Sequence, residues 1–473
     1  MKFSKLLGKD LDSDFEVQSV KEDSRQVMQG DVFVIDKRVH PEGCERFVRD
    51  ALAKGARAVV TNLDLAEENV FYTENPFDIS GKYAADKHKR TPKNIVAVTG
   101  TNGKTSVAWF YNAILNGAGF KAASIGTLGV YQGKELLRET GYTSPTPLVL
   151  HEILDGLADS GVDYCCMEVS SHALSLHRCE QVSFCAGAFT NITPDHRDFH
   201  GSMESYFMAK QRLFAECLPE GSAAVINVSQ PQLWPVVSIA KQRGLDLLTV
   251  GPANAELVVK FLGATARGMD LEIKYDKHIL QKSLPLVGTF QAENLATAIA
   301  LCLKSGVAWQ SVVKGLDAVQ SVPGRMEVIA YENKPVVVVD YAHTPDALRT
   351  AIEALKPQVK GKLWTVFGCG GDRDKTKRPE MGLIAHQLSD FVVVTDDNPR
   401  TENAASIRKD ILSACPNAIE CGDRGEAIQL AVEKAGVDDV ILLAGKGHES
   451  GQYIMGEVVP FNDCDYARKI LKK

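Results

Sequence analysis

The stretch IVAVTGTNGKTS, residues 95–106, joins an apolar run to a glycine-rich turn. Ile95–Val98 has the character of a buried strand, and Gly103-Lys104-Thr105 closes the turn. Backbone N–H groups of such a turn, with a following helix N-terminus, attract phosphate oxygens. Lys104 adds a cation, and Thr105 adds a hydroxyl suited to Mg²⁺. The stretch therefore predicts a polyphosphate site between a strand and a helix.

The match to the general phosphate-loop pattern GxxxxGK[ST] is partial. Val98 stands where that pattern has its first glycine, so an ordinary strand-to-helix turn is the alternative. The residues expected to contact the nucleotide in this turn are Gly100, Thr101, Asn102, Gly103, Lys104, Thr105 and Ser106.

Composition narrows the class of protein. The chain has 473 residues, of which 45% are hydrophobic and 24% charged, as expected for a globular protein. Its net charge of -7 argues against nucleic acid or a membrane as a general partner. The N-terminus is too highly charged for a signal peptide, and long apolar runs are absent, so a cytoplasmic protein without membrane insertion is expected. Its 11 cysteines form no CxxC pairs, which favours reduced thiols.

The order of strand-like and helix-like segments predicts an α/β protein with three domains. Residues 1–90 form a small α/β domain, and residues 91–324 form a central phosphate-loop domain with a parallel sheet. Residues 325–473 form a Rossmann-like, doubly wound domain. The basic stretch DKHKRTPK, residues 86–93, is a candidate linker.

The C-terminal third repeats one pattern. The apolar runs PVVVVD, KLWTVFG, DFVVVTD and DVILLAG are each followed by a polar loop and then by a helical segment. In a doubly wound sheet these loops gather at the carboxyl edge of the strands, where ligands bind. Each loop alone is typical of a solvated turn, but four charged, glycine-rich loops together predict a binding site.

The turn GTNGKTS resembles the Mur ligase family, the ATP-dependent enzymes that form amide bonds in peptidoglycan synthesis. Two further segments resemble the same family, namely MEVSSHAL with Glu168 and NITPDHRDFHG with His196. The resemblance implies ATP and Mg²⁺ as cofactors and Thr105, Glu168 and His196 as metal ligands. It also implies that the chain acts as a monomer.

Lys210 lies on the apolar stripe of a predicted helix. Met203, Tyr206, Phe207, Leu213 and Phe214 recur at helical spacing, and Lys210 falls on the same face. From this pattern alone the lysine either extends to water or is desolvated with a depressed pKa. The resemblance favours the second alternative, because in Mur ligases the matching lysine is carbamylated and becomes a metal ligand.

The resemblance extends over almost the entire chain and points to the branch that adds the third residue of the peptide stem. It implies that UDP-N-acetylmuramoyl-L-Ala-D-Glu (UDP-MurNAc-L-Ala-D-Glu) is bound by Ser24, Arg25, Thr143, Ser144, Ser170 and Arg178. It implies nucleotide contacts from Asn294, Arg325, Asp340 and His343. The chain departs from the family pattern at Glu42 and Gln291, where the family has Asp and Asn.

The segment Asp397-Asn398-Pro399-Arg400 accompanies meso-diaminopimelate in this family. A guanidinium at Arg400 can grip the distal carboxylate of that amino acid bidentately, and lysine lacks this group. The resemblance adds Arg373, Gly445 and Glu449 as further contacts to the amino acid. Taken alone, DNPR is typical of an Asx-Pro turn.

These expectations define a reaction and its rivals. ATP would phosphorylate the D-glutamyl carboxylate, and an amine would displace the phosphate, with Lys104, Lys210, His196 and Arg325 as the catalytic residues. The rivals are a phosphate-loop NTPase or kinase, and a regulatory protein that only binds nucleotide. Ligases that add lysine or D-Ala-D-Ala are alternatives within the family.

Overall fold

The computed structural model describes residues 1–265 and 268–472 as alternating strands and helices. The strands are β1 Val20–Lys21, β2 Val32–Ile35, β3 Ala58–Thr61, β4 Val70–Tyr72, β5 Asn94–Thr99, β6 Ala122–Gly126, β7 Gly129–Gln132, β8 Glu135–Arg138, β9 Tyr164–Glu168, β10 Ala186–Phe189, β11 Ala223–Asn227, β12 Asp246–Gly251, β13 Leu257–Thr265, β14 Gly268–Tyr275, β15 His278–Leu284, β16 Glu327–Ile329, β17 Val336–Asp340, β18 Leu363–Phe367, β19 Phe391–Val394, β20 Ile419–Glu420, β21 Val440–Ala444, β22 Gly451–Ile454 and β23 Glu457–Pro460.

The α-helices are α1 Phe3–Leu7, α2 Cys44–Ala53, α3 Phe77–Lys87, α4 Lys104–Gly117, α5 Pro147–Asp159, α6 Ser171–Ser175, α7 Arg197–His200, α8 Met203–Arg212, α9 Trp234–Gln242, α10 Phe290–Lys304, α11 Trp309–Gly315, α12 Pro345–Leu355, α13 Lys377–Leu388, α14 Ala404–Leu412, α15 Arg424–Lys434 and α16 Asp463–Leu471. Short 3₁₀ helices are Ser24–Gln26, Pro231–Leu233, Leu316–Ala318 and Lys356–Gln358, and a π-helical turn, Leu213–Cys217, extends α8.

Packing divides the chain into two compact units. The first contains Met1–Gly251 and Thr297–Ala318, and the second contains Pro252–Ala296 and Val319–Lys473. The first unit carries the N-terminal sheet and the sheet with the phosphate-loop turn, while the second carries the C-terminal sheet. The predicted α/β class with parallel sheets is confirmed.

Two sheets build the first unit. The N-terminal sheet has the order β1-β2-β3-β4 and is parallel throughout, and its strands β2 and β3 are buried along their whole length. In the second sheet the strands of this unit follow the order β12-β11-β10-β5-β9-β6-β7-β8. β5 lies between β10 and β9 with parallel pairing on both sides, and it is buried except at its first residue. The turn that follows β5 is therefore held at the carboxyl edge of a rigid sheet.

The second unit contains a doubly wound sheet with the order β16-β17-β21-β18-β19-β20. Pairing is parallel from β17 to β20, and β16 is antiparallel. Alternate residues of β17 face two separate hydrophobic cores, with Val336 and Val338 in one and Val337 and Val339 in the other. Helices α12, α13 and α14 contribute to the first core, and α15 and α16 contribute to the second. Because both faces are covered, the loops at the carboxyl ends of the strands are the accessible edge.

One detail of the predicted organisation is wrong, and one predicted segment overlaps a helix at its first two residues. The loop KGHESG leads into the hairpin β22–β23, and not directly into a helix, because Met455 and Gly456 have φ of 49° and 87° and close a two-residue turn. The candidate linker, residues 86–93, begins inside α3, which continues to Lys87.

Two further expectations concern cysteines and membranes. The structure leaves all of the cysteines it describes unpaired, as their spacing predicts. Within residues 1–265 and 268–472, helices with the length and apolar character needed to cross a bilayer are absent.

A network of charged side chains joins α3 to the segment before β10 in the first unit. His177 Nδ1 lies 2.9 Å from Asp78 Oδ1 and 3.2 Å from Glu180 Oε1. Asp78, His177 and Glu180 are residue types that also bind metals, but Arg212 Nη2 lies 2.7 Å from Glu180 Oε1 and 3.1 Å from His177 Nδ1. A guanidinium thus already neutralises this group, which we interpret as an ion-pair network.

This network predicts that stability depends on pH. Burial lowers the His177 pKa, but the carboxylates of Asp78 and Glu180 outweigh it and leave the pKa raised. The stabilisation is therefore complete below the unfolded-state pKa of about 6.5 and is lost as pH rises through the higher folded-state value. We expect His177→Gln to destabilise the chain by ~1–3 kcal/mol near pH 6, and by less at pH 9.

The measurement is thermal or denaturant unfolding of wild type and variant across that pH range. Exposed His386→Gln serves as the control and should track wild type throughout. A deficit for His177→Gln that grew with pH would contradict the assignment.

Candidate active site

The turn after β5 is held by a second loop of the first unit. Thr101 N donates to Asn191 O at 2.9 Å, and Asn102 N donates to Asn191 Oδ1 at 2.9 Å. Thr190 Oγ1 donates to Asn102 O at 2.6 Å. Gly100 has φ of 145°, which an L side chain rarely adopts. The backbone of residues 100–103 is thus fixed before a ligand binds.

Two lysines converge on one carbonyl of this turn. Lys104 Nζ donates to Gly100 O at 2.8 Å and to Thr101 O at 2.8 Å, and Lys210 Nζ donates to Gly100 O at 2.7 Å. Lys210 is only 1% exposed and lies 4.7 Å from the centre of the Tyr206 ring. Burial lowers the Lys210 pKa well below its usual value, and the Lys104 cation lowers it further. Of the two alternatives left by the sequence, the desolvated lysine is the correct one.

Glu168 ends β9 beside the first turn of α4. Its Oε2 accepts from Thr105 Oγ1 at 3.0 Å, and its Oε1 accepts from the backbone N–H of Thr127 at 2.9 Å. A Cβ on Gly126 would lie 2.0 Å from Glu168 Oε1, so this position requires glycine. The carboxylate and the Thr105 hydroxyl are oxygen ligands of the kind that Mg²⁺ prefers.

His196 lies on the loop that approaches the lysine pair. It has φ of 49°, and its ring centre is 4.8 Å from that of His172. Burial lowers the His196 pKa, the carboxylate of Asp195 opposes that effect, and the Lys104 cation adds to it, which keeps the imidazole neutral near pH 7. A neutral imidazole is the form that can bind a metal.

Four of the predicted substrate contacts form one cluster behind Glu168. Ser144 Oγ donates to Glu168 O at 3.0 Å and accepts from Ser170 N at 3.0 Å. Thr143 Oγ1 lies 3.0 Å from Thr127 Oγ1. Arg178 Nη1 lies 3.4 Å from Ser144 O, and the side chain is 8% exposed.

Arg178 is a buried cation with spare hydrogen-bonding capacity. Its Nε is buried without a partner among the described residues. Burial lowers the Arg178 pKa, and the carboxylate of Glu22 opposes that effect. A buried guanidinium with an unpaired N–H suits an anionic or carbonyl group of a ligand.

Ser24 and Arg25 lie in the connection between β1 and β2 of the N-terminal sheet. Arg25 is exposed and forms an ion pair with Asp23, with Nη2 to Oδ2 at 2.8 Å. Ser24 is buried at the start of a 3₁₀ helix, and its carbonyl accepts from Lys54 Nζ at 2.9 Å.

The second unit gathers three of the predicted nucleotide contacts. Asp340 Oδ2 accepts from Met326 N at 2.8 Å, and Asp340 Oδ1 accepts from Ala342 N at 2.9 Å. Arg325 lies 4.4 Å from the centre of the Tyr341 ring. His343 stacks edge-on against Tyr341 at 4.6 Å. Burial raises the Asp340 pKa, and the Arg325 cation partly offsets that effect.

Asn294 lies in the first turns of α10, close to Gln291, where this chain has glutamine and the family pattern has asparagine. Gln291 Oε1 accepts from Asn294 Nδ2 at 2.9 Å, and both side chains are buried. The longer Gln291 side chain thus fixes the orientation of the Asn294 amide.

The loops DNPR and GKGHE meet in the second unit. Asn398 Nδ2 donates to Glu449 Oε2 at 2.9 Å, and Lys446 Nζ contacts Asn398 Oδ1 at 3.2 Å and Glu449 Oε2 at 3.0 Å. Gly445 lies beside Asp397, and a Cβ there would be 2.6 Å from Asp397 Oδ2.

Arg400 is fixed by its backbone and by one guanidinium bond. Its N–H donates to Tyr453 O at 2.8 Å, and Nη1 donates to Gly371 O at 2.8 Å. A Cβ on Gly370 would lie 2.7 Å from Nη1. Arg373 lies on the same loop as Gly371, and its side chain is exposed.

Several residues of the site were not predicted from the sequence. Thr190, Asn191 and Tyr206 support the phosphate-loop turn, and Tyr341 and Lys446 support the loops of the second unit. A usable signal existed for Lys446, since it lies between two predicted contacts in GKGHE. The same kind of signal existed for Tyr341, between Asp340 and His343, and for Asn191, which begins NITPDHRDFHG. Thr190 and Tyr206 contact the turn from distant parts of the chain.

Comparisons with known proteins agree with this arrangement. Residues 98–302 match the Mur ligase middle domain, and residues 324–447 match the Mur ligase glutamate ligase domain. A relative from Chelativorans sp. (strain BNC1), named UDP-N-acetylmuramoyl-L-alanyl-D-glutamate--2,6-diaminopimelate ligase, is 40% identical over 97% of this chain and 95% of its own length.

Solved structures show the same similarity. A structure of UDP-N-acetylmuramoyl-L-alanyl-D-glutamate--2,6-diaminopimelate ligase has a TM-score of 0.73 and 31% identity, covering 100% of this chain and 99% of that chain. MurF ligase from Thermotoga maritima in complex with ADP has a TM-score of 0.64 at 20% identity over 96% of this chain and 98% of its own, which shows a shared fold.

The geometry of Gly100 gives a test of the turn. A Cβ at this position would lie 1.9 Å from Thr190 Oγ1, and Thr190 is only 2% exposed and cannot move away easily. We expect Gly100→Ala to weaken MgATP binding at least about tenfold, corresponding to ~1.4 kcal/mol or more of strain.

Isothermal titration calorimetry measures this effect. The control is Gly156→Ala within α5, where an added Cβ meets nothing within 4 Å and φ is ordinary. Equal nucleotide affinity in Gly100→Ala and wild type would show that the turn does not hold the nucleotide.

Proposed function

This chain belongs to the Mur ligase family, and from that premise we propose that it adds meso-diaminopimelate to UDP-MurNAc-L-Ala-D-Glu at the expense of ATP. The observation that carries the proposal is that hydrogen bonds join DNPR and GKGHE into one charged cluster. A phosphate-loop turn without that cluster would fit many nucleotide enzymes.

The proposed chemistry activates a carboxylate. The carboxylate repels an incoming amine electrostatically and has no good leaving group, so the γ-phosphoryl of ATP is transferred to one of its oxygens and ADP leaves. The amine nitrogen then adds to the acyl carbon, the carbon–oxygen bond to phosphate breaks, and the amine loses a proton. A covalent intermediate with the protein is not needed.

Charged side chains and backbone dipoles stabilise the transferring group. The N–H groups at the start of α4 and the Lys104 ammonium face phosphate oxygens, and Arg325 supplies a second cation. Asn294, Asp340 and His343 complete the proposed nucleotide contacts. Lys104 is already held by two backbone carbonyls, so little ordering is needed when ATP binds.

Thr105, Glu168, His196 and a carbamylated Lys210 would hold the magnesium ions. When bound, Mg²⁺ would withdraw charge from the phosphate oxygens. Lys210 fits carbamylation because its amine is buried and its pKa is well below the usual value as a result of desolvation and the Lys104 cation. A neutral amine is the form that reacts with CO₂.

The first unit would hold the nucleotide-linked dipeptide. We assign residues 1–90 to UDP recognition, with Ser24 and Arg25 as contacts. Thr143, Ser144 and Ser170 are joined by hydrogen bonds to the segment around Glu168, so a peptide bound there would lie beside the proposed metal site. Arg178 offers its unpaired N–H to the same ligand.

The charge of the second pocket suits an amino acid. Lys446 and Arg424 are fully buried, and they lie among the carboxylates of Asp397, Glu449 and Asp463. Glu449 is the partly exposed carboxylate of this group, and its negative charge can attract an ammonium group. Burial raises the Asp397 pKa although the Arg424 and Lys446 cations lower it. Arg400 and Arg373 would bind the carboxylates of the same molecule.

The overall reaction separates this proposal from its rivals. Wild type should release inorganic phosphate from ATP only when both UDP-MurNAc-L-Ala-D-Glu and an amine are supplied. A kinase would retain the γ-phosphoryl label on its product, and a regulatory nucleotide-binding protein would show no turnover.

The acceptor is tested with a panel of amino acids and Arg400→Ala. We expect wild type to prefer meso-diaminopimelate over lysine, and we expect the substitution to lower kcat/KM for diaminopimelate at least about tenfold, because a bidentate ionic bond is lost. Turnover of lysine should change little. The control is Arg349→Ala, an exposed arginine of α12. Equal use of lysine and diaminopimelate by wild type would refute the assignment.

The role of Lys210 is tested by chemical rescue. Lys210→Ala should lower kcat by at least about 100-fold. Mutating the residues that only orient a metal ligand usually costs about 10- to 100-fold, and losing the ligand itself should cost more. Formate or acetate should restore part of the activity by supplying the missing carboxylate. The control is Lys241→Ala, at an exposed position, which should keep the kcat of wild type with or without formate or acetate. Full activity of Lys210→Ala without added acid would contradict the role.

A further inference from the structure

Lys446 is a charged residue with no contact to solvent. Its side chain is 0% exposed, whereas its partner Glu449 is 27% exposed. An isolated buried ammonium is costly, and such groups persist where partners satisfy them. Lys446 Nζ has two, Glu449 Oε2 at 3.0 Å and Asn398 Oδ1 at 3.2 Å. Both partners are proposed contacts for the amino acid.

The lysine determines which way the Asn398 amide points. Asn398 Oδ1 accepts from Lys446 Nζ and from the backbone N–H of Tyr453 at 3.0 Å. With two donors on the oxygen, the amide nitrogen must face the other side, where Nδ2 donates to Glu449 Oε2 at 2.9 Å. A flipped amide would oppose donor to donor at two places.

The same contacts fix the carboxylate of Glu449. Its Oε2 accepts from both Lys446 and Asn398. In the described part of the chain no hydrogen bond reaches Oε1, which stays available for an ammonium group. Glu449 N also donates to Lys446 O at 3.0 Å, so the two residues share one turn of backbone.

We propose that Lys446 is a positioning residue for the amino-acid acceptor, orienting Glu449 and Asn398 so that one carboxylate oxygen receives the ammonium group. This inference rests on the proposed function of the second pocket. Lys446 is too deeply buried to contact the substrate, and it acts through its two partners.

The proposal predicts a change in one of three Michaelis constants. Lys446→Met should raise KM for meso-diaminopimelate at least about tenfold, while KM for ATP and for UDP-MurNAc-L-Ala-D-Glu stays within about twofold. A merely structural role would disturb all three substrates together. Lys409→Met, at an exposed position of α14, is the matched control and should leave all three constants unchanged.

A double-mutant cycle with Glu449→Gln isolates the coupling. If Lys446 acts through Glu449, the double variant should be no more than about twofold worse than the worse single variant. The double variant removes a cation and a carboxylate together, so it preserves the charge balance. If Lys446→Met alone does not fold, the double variant replaces it in the test and should show only the defect of Glu449→Gln.

The outcomes are distinct. An unchanged KM for diaminopimelate in folded Lys446→Met, equal changes in all three constants, or multiplying effects in the cycle would overturn the proposal. Failure of both Lys446→Met and the double variant to fold would also overturn it, because Lys446 would then be a folding requirement. If wild type incorporated no amine at all, the proposed function itself would be wrong.

Discussion

The first unit depends on one carbonyl oxygen that accepts hydrogen bonds from two lysine side chains. Gly100 O accepts from Lys104 Nζ and from Lys210 Nζ, and both side chains lie next to a turn suited to a polyphosphate. Two like charges this close favour loss of a proton from the more buried one, which is Lys210. The same desolvation that disfavours a second cation gives the amine the neutral form required for carbamylation. One contact thus connects the proposed nucleotide site to the proposed metal site.

In the second unit, hydrogen bonds between two loops hold Arg400. Arg378 is 1% exposed and donates to Glu402 Oε1 at 3.0 Å, and Glu402 Oε1 also accepts from Asp372 N at 2.6 Å. Thr401 N donates back to Asp372 Oδ2 at 3.0 Å. Hydrogen bonds from Arg378 lower the Glu402 pKa to about 2, so this carboxylate stays charged at neutral pH. The loops are ordered by the chain itself, which reduces the entropy lost when an amino acid binds.

The sequence predicted what is encoded locally. The strand and turn of residues 95–106 are contiguous, so their form follows from neighbouring residues. The apolar stripe predicted the helix face on which Lys210 lies, but it could not predict that the side chain is buried. Periodicity identifies a face of a helix and does not show which other elements pack against it. Lys446 was missed although it lies between Gly445 and Glu449; what the local sequence could not show is its burial and its contact with Asn398, which is 48 residues away along the chain. The hairpin after KGHESG was also missed, although Met455-Gly456 carries a turn signal.

Selection of the acceptor follows from how Arg400 is already bonded. The sequence analysis based the preference on a bidentate bond from Arg400 that lysine cannot form. The structure shows a partly exposed side chain whose Nη1 is bonded to Gly371 O, so the penalty for leaving it unpaired is reduced. Discrimination must then come from the gain of an ionic bidentate bond over hydration of the remaining N–H groups. Such a gain requires the guanidinium plane to be fixed, and Gly370 and the backbone bonds of Arg400 provide that restraint.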